Sequence, residues 1–248
     1  MKKWMLLAVA ALCLPMLGQA TQRDSNLYRG DLSLKTVLNM IQKNKPLPLY
    51  ISDGGAFNSK EEKKEAIAQV KNRLKNNPNY WTYYNAAVVY SSCDYQPEIA
   101  YDRCLSKQDA NQAIAYADKA ISYYQNNPKQ TVYMHLLKGN MLFMHSVTVD
   151  IYGTPSLLPA QKENAQRALN SYKTVEKVNP SLAPYDDMAH AAKVLGQKDL
   201  AKKYYNLELK REQKIEQEQA AQQAQIQRMM QLKKEEVYRK LKQSPLFR

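Results

Sequence analysis

The 248 residues carry 36 Lys and Arg against 23 Asp and Glu, a formal charge of +13. Seven Gly against eighteen Tyr, among many Ala, Lys and Gln, favour helices bearing aromatic faces and argue against a sheet-rich protein built on tight turns. The length allows one sizeable domain plus an extension, and the basic balance either serves solubility alone or suits anionic headgroups, cell-wall polymers or an acidic partner.

Lys2 and Lys3 precede an apolar run, Trp4 to Leu17, that is broken at Pro15 and ends at Gly18-Gln19-Ala20. The run is short for a membrane span and closes on a small-x-small cleavage pattern, so residues 1–20 read as a secretory signal and the mature chain is expected to begin at Thr21. Leu12 before Cys13 argues against lipidation. Removing the signal leaves 228 of the 248 residues and, without Lys2 and Lys3, a charge of +11. No later stretch is apolar enough to cross a bilayer, and the expected location is the periplasm.

A first, degenerate helical unit runs from Leu32 to Pro78, split by the Pro- and Gly-containing stretch Lys45 to Ser59. Ala66 and Val70 stripe its second helix, which an Asn-Pro dipeptide stops at Pro78. The next unit pairs Trp81 to Tyr90 with a helix carrying Ala113, Ala117 and Ala120 before Pro128. Between them lie Cys93 and Cys104, the two thiols left after signal removal. An oxidising compartment pairs them, and closing so short a loop stabilises by about 3 kcal/mol in the chain-entropy model. A third unit takes Tyr133 to Met144 and then Ala168, Tyr172 and Val175 before Pro180, with an insertion from Ser146 to Ala160 that holds Gly153, Pro155 and Pro159. The last unit starts at Tyr185 to Leu195. From Leu207 to Gln243 there is neither Pro nor Gly, so the tail is expected to be a solvated helix. Glu235 and Arg239, and Glu236 and Lys240, are spaced for i,i+4 pairing; the Gln-rich middle, Gln217 to Gln227, is the place for fraying into a tether.

Tyr185, Met188, Ala189, Ala192, Gly196, Ala201, Tyr205 and Leu209 together resemble the tetratricopeptide repeat family, which sets large then small residues on a first helix and Ala, an aromatic and Ala on a second. Leu195-Gly196 falls at the turn between the two helices. The units at Tyr133 to Pro180 and Tyr83 to Ala120 are similar but carry insertions, and the resemblance covers most of residues 32 to 211. It implies an all-α, α-α superhelix of helical hairpins over residues 21–211, followed by a charged, Gln-rich helical extension over 212–248.

In that family the first helices of successive units line a concave groove. Carried over by motif position, the resemblance places Trp81, Tyr84, Tyr133, Leu136, Asn140, Phe143, Asp186 and His190 there. Such a groove would be aromatic, and rigid rings with polar tips suit a peptide or helical partner; the competing reading puts several of these rings in the core between repeats. Family members that bind a terminal carboxylate carry Asn where Asn140 stands, but Leu136 occupies the place of their cation.

Reactive constellations are missing from the sequence. His135, His145 and His190 form no i,i+4 pair or HExxH arrangement, so no metal site is expected. Asp186 and Asp187 are adjacent carboxylates that point apart on a helix and complement its N-terminus more simply than they serve as an acid/base pair. No nucleophile elbow, phosphate-binding loop or dinucleotide fingerprint occurs, and no cofactor is expected. The tail mixes bases with acids, which disfavours nucleic acid. With no reactive constellation present, the resemblance implies a non-catalytic adaptor, expected to engage a protein or peptide partner in a bacterial cell envelope. The alternatives are a cationic binder of cell-wall or lipopolysaccharide-type polymers, and an enzyme with a composite site around His145, Asp150 and Tyr152.

Overall fold

Polar side chains mark the starts of the first four described helices. In the computed structural model, which describes residues 33–49, 57, 59–92, 105–144 and 159–243, Ser33, Ser59, Asn79 and Ser106 each accept a hydrogen bond from a first-turn amide, those of Thr36, Glu62, Thr82 and Asp109 respectively. These caps satisfy donors that a helix leaves open and open α1 (Leu34–Gln42), α2 (Lys60–Asn76), α3 (Tyr80–Ser91) and α4 (Lys107–Ser122). Then follow α5 (Pro128–Met144), α6 (Pro159–Val178), a 3-10 turn (Pro180–Leu182), α7 (Tyr185–Val194) and α8 (Lys198–Gln243). The protein is all-α, and among the described residues of 1–183 each helix packs on the next described helix, consistent with a helical repeat array. The signal segment, Cys93 and Cys104, and the insertion residues His145, Asp150 and Tyr152 lie outside the described residues.

Proline acts at both ends of helices here. Asn77-Pro78 and Asn179-Pro180 follow the last residues of α2 and α6 as expected. Pro128, read from the sequence as a stop, is instead the first residue of α5, where its missing amide proton costs nothing and its fixed φ suits a helix. The helix thus starts five residues earlier than Tyr133.

The chain separates into two compact units, residues 1–183 and 184–248. In the first, the small and large positions of the stripes are interior: Ala66, Val70, Ala113, Ala117, Ala120, Ala168, Tyr172 and Val175 are all buried. The alanines let helix backbones approach, while Tyr172 and Leu169 fill the space beside them. The α5–α6 contact is close as well: a Cβ on Gly139 would overlap the ring of Tyr172. Lys63 on α2 reaches Asp109 on α4 at 2.7 Å, an ion pair that ties the second helices of successive hairpins. The stretch between α1 and α2 also carries core. Leu47 and Leu49 are buried, and Asn85 on α3 accepts from the Leu47 amide and donates to the Lys45 carbonyl, both at 2.9 Å.

In the second unit α7 and α8 form one hairpin. Gly196 turns the chain with φ of 75°, a left-handed conformation that disfavours other residues, and the Gln197 amide returns to the Ala192 carbonyl at 2.8 Å. Tyr185 and Tyr204 stack between the helices with centroids 6.1 Å apart. Of the residues that match the repeat motif, Tyr205 and Leu209 are exposed, and the buried ring is the neighbouring Tyr204. After the turn, Ala201 and Tyr204 lie three apart on the face toward α7, and Tyr205 lies one step round the helix. No break occurs near residue 211, where the extension was expected to begin: α8 runs unbroken through the Gln-rich stretch.

Candidate partner-binding site

Helix α3 is the aromatic centre of the first unit. Its sequence, Tyr-Trp-Thr-Tyr-Tyr-Asn-Ala-Ala-Val-Val-Tyr-Ser, has no polar face, and ten of its twelve residues are buried. A helix so covered cannot line an open groove along its length. Asn85 accounts for part of the cover, since it bonds to Lys45 and Leu47 in the segment that follows α1, while the Thr82 hydroxyl donates to the Asn77 carbonyl at 2.8 Å with the Asn44 side chain 3.3 Å away.

The eight residues expected in a groove therefore divide. Tyr84 is 1 % exposed and Leu136 4 %, and Asn140 is buried with its Oδ1 accepting from the Tyr172 hydroxyl at 2.9 Å. These three are core, a correction to the expected placement, because α3 and α5 are enclosed by the elements on either side of them. With Asn140 engaged inside the α5–α6 interface, it is not displayed to a carboxylate. Tyr133 and Phe143 on α5 are partly exposed, and Trp81 is open at 40 %. Asp186 and His190 belong to the second unit, both exposed on α7, with His190 Nε2 3.9 Å from Asp186 Oδ1 and its imidazole edge-on to Tyr205 at 5.9 Å.

Around Trp81 the structure assembles a cluster that the sequence pattern only half contained. Tyr80 meets Trp81 edge-on at 4.7 Å and Tyr124 edge-on at 4.9 Å, and Trp81 also lies 5.6 Å from Tyr84. The Tyr80 hydroxyl donates to the Gln130 carbonyl at 2.6 Å, fixing the ring that holds the other two. Burial, and then the neighbouring Tyr124, push the Tyr80 phenol up to about 12, so it stays a neutral donor at physiological pH. On the next face of α3, Tyr83 sits 6.2 Å from Tyr116 and 5.9 Å from Tyr123, and Tyr116 is 5.4 Å from Tyr90. The outward-facing members are Trp81, Tyr123 at 48 % and Tyr124 at 37 % exposure.

Tyr123 and Tyr124 were missed because they follow the apolar stripe of α4 and sit in the polar turn to α5, where helical periodicity assigns no role. The signal available was composition: two adjacent rings in a Ser-Tyr-Tyr-Gln-Asn-Asn turn that the core does not need.

Elsewhere in this unit a cleft of about 310 Å³ lies among α4, α5 and α6, lined by Asn111, Asp118, Asn164 and Arg167 with Ile114 and Leu142. Beside it Asp118 pairs with Lys138. Burial, followed by the charge of Lys138, lowers the pKa of His135 against the opposing pull of Asp118, keeping the imidazole neutral at pH 7. Among the described residues no group of three or more His, Cys, Asp or Glu could hold a metal ion, and no helix is long and apolar enough to cross a membrane. No family model matches the chain, and no curated protein or solved structure does either.

Proposed function

We propose that the protein is an exported, tetratricopeptide-like adaptor of the bacterial cell envelope that binds a protein partner through the aromatic surface of Trp81, Tyr123 and Tyr124 and catalyses no reaction. The observation that carries this reading is the Trp81–Tyr80–Tyr124 arrangement, in which a hydrogen-bonded, buried ring holds two exposed rings edge-on. Rings held in this way lose little conformational freedom on binding and offer apolar area with polar tips, which is what an interface anchor requires. The hairpin scaffold supports it by fixing α3 within the core while leaving Trp81 at its open end. The export signal read in residues 1–20 supports the envelope location.

Capture from native envelope extract on the immobilised chain, at low and high salt, tests the reading. A discrete protein retained at high salt by the parent chain, and lost from a Trp81→Ala/Tyr124→Ala variant of unchanged helicity, is the expected result. The net positive charge, +11 without Lys2 and Lys3, favours a second reading, an anionic envelope polymer held by charge. Its mark is capture of polymer alone, released as salt shortens the screening length to about 3 Å at 1 M.

A further inference from the structure

Beyond Arg211, helix α8 leaves the hairpin and continues as a single helix, with Glu212 to Arg239 exposed apart from a half-covered Met229. At 1.5 Å per residue that stretch is about 42 Å long. Its composition alone favours a helix, but its sequence is not evenly polar. Ile215, Ile226 and Val237 follow one another at intervals of eleven residues, and Tyr204, buried against α7, stands eleven before Ile215. Eleven residues close three turns at 3.67 per turn, so all four lie on one face. The exposed stripe therefore continues the face that is buried inside the hairpin, with Met230 beside it, and Ile226 at its midpoint is 38 % exposed.

Charge along this stretch is divided. Residues 212–227 hold three Glu and one Lys, whereas 228–239 hold four Lys or Arg and two Glu. A parallel pair of such helices would set acid beside acid and base beside base. An antiparallel pair centred on Ile226 sets Ile215 of one copy level with Val237 of the other and Glu218 level with Lys234, with Lys233 one residue beyond; Glu216, level with Glu236, lies two residues from the level of Lys234. The stripe maps onto itself and opposite charges meet at Glu218 and Lys234.

We propose that the exposed part of α8 pairs antiparallel with the same segment of a second copy of this chain, about a two-fold axis at Ile226. The pairing buries the three stripe residues and Met230 from each copy, and it needs nothing from the aromatic surface of the first unit.

Sedimentation equilibrium of the full chain is the first test, with twice the chain mass expected at micromolar concentration. Ile226→Glu should weaken self-association at least tenfold. Because that change could also loosen the helix, charge swaps give an independent reading: Lys233→Glu/Lys234→Glu should yield monomer, and adding Glu216→Lys/Glu218→Lys should restore the dimer. A photo-crosslinking residue placed at 215 should react with the partner's peptide around 237. Monomer mass at every concentration, swaps without effect, or a crosslink from 215 to 215 would each overturn the proposal.

Discussion

The hydroxyl of Tyr172 donates to Asn140 Oδ1 at 2.9 Å within the α5–α6 interface, and its ring fills the space that a side chain at Gly139 would need. Glycine in mid-helix costs about 1 kcal/mol relative to alanine, so its presence here is explained by the close approach rather than by the helix. Gly139→Ala should destabilise the protein by about 1–2 kcal/mol in chemical denaturation, the overlap outweighing the helix gain. Combined with Tyr172→Leu, the same change should become neutral or stabilising. Tyr172→Phe alone should cost about 1–2 kcal/mol by stranding the Asn140 oxygen. Stabilisation of the parent by Gly139→Ala would contradict the packing described.

Asn85 uses both ends of its amide on one short segment, accepting from Leu47 and donating to Lys45. Asn85→Ala leaves a buried amide and a carbonyl without these partners and should cost about 2–3 kcal/mol. Hydrogen exchange localises the effect: the Leu47 amide should lose protection well before α5 and α6 do. Equal loss throughout the unit would mean that Asn85 acts on the core generally and not on this strap.

Asp187 carries a pH dependence whose sign is fixed by its surroundings. Burial first, then Asp186, raise its pKa from 3.8 to about 6, with His190 opposing and Glu208 adding to the rise. The folded hairpin therefore retains a proton between about pH 4 and 6 that the unfolded chain releases. Stability of the α7–α8 hairpin should fall as pH rises through that window and level off above it. A rise of that size corresponds to about 3 kcal/mol, reduced to about 1–2 by solvent screening at this partly exposed site. Asp187→Asn should flatten the profile and stabilise the hairpin at pH 7, read from amide protection of α7 on either side of the window. An unchanged slope in the variant would assign the dependence to another group.

Much of this architecture is written in local pattern. Ala113, Ala117, Ala120, Ala168 and Ala192 are buried where their helical spacing puts them, and Gly196 turns the chain where the repeat pattern asks for a turn. Periodicity reports which side of a helix is apolar, but not how many neighbours cover it. Tyr84, Leu136 and Asn140 were assigned to a groove by position, whereas α3 and α5 are enclosed on nearly every side. The strap at Leu47 and Leu49 was hidden in a stretch that reads as a split between helices. Tyr124 joined the aromatic surface through Tyr80, a contact made across a turn by tertiary packing, which no spacing rule encodes.

The same cluster offers its own reporter, since Trp4 and Trp81 are the only tryptophans and deletion of residues 1–20 leaves Trp81 alone. Acrylamide quenching of Trp81 emission, measured with and without the protein retained at high salt, is the most direct test of the central claim. The account predicts a blue shift and at least a twofold drop in quenching on binding. Binding that leaves the emission and its quenching unchanged would show that the partner docks elsewhere, and the aromatic surface would lose its assigned role.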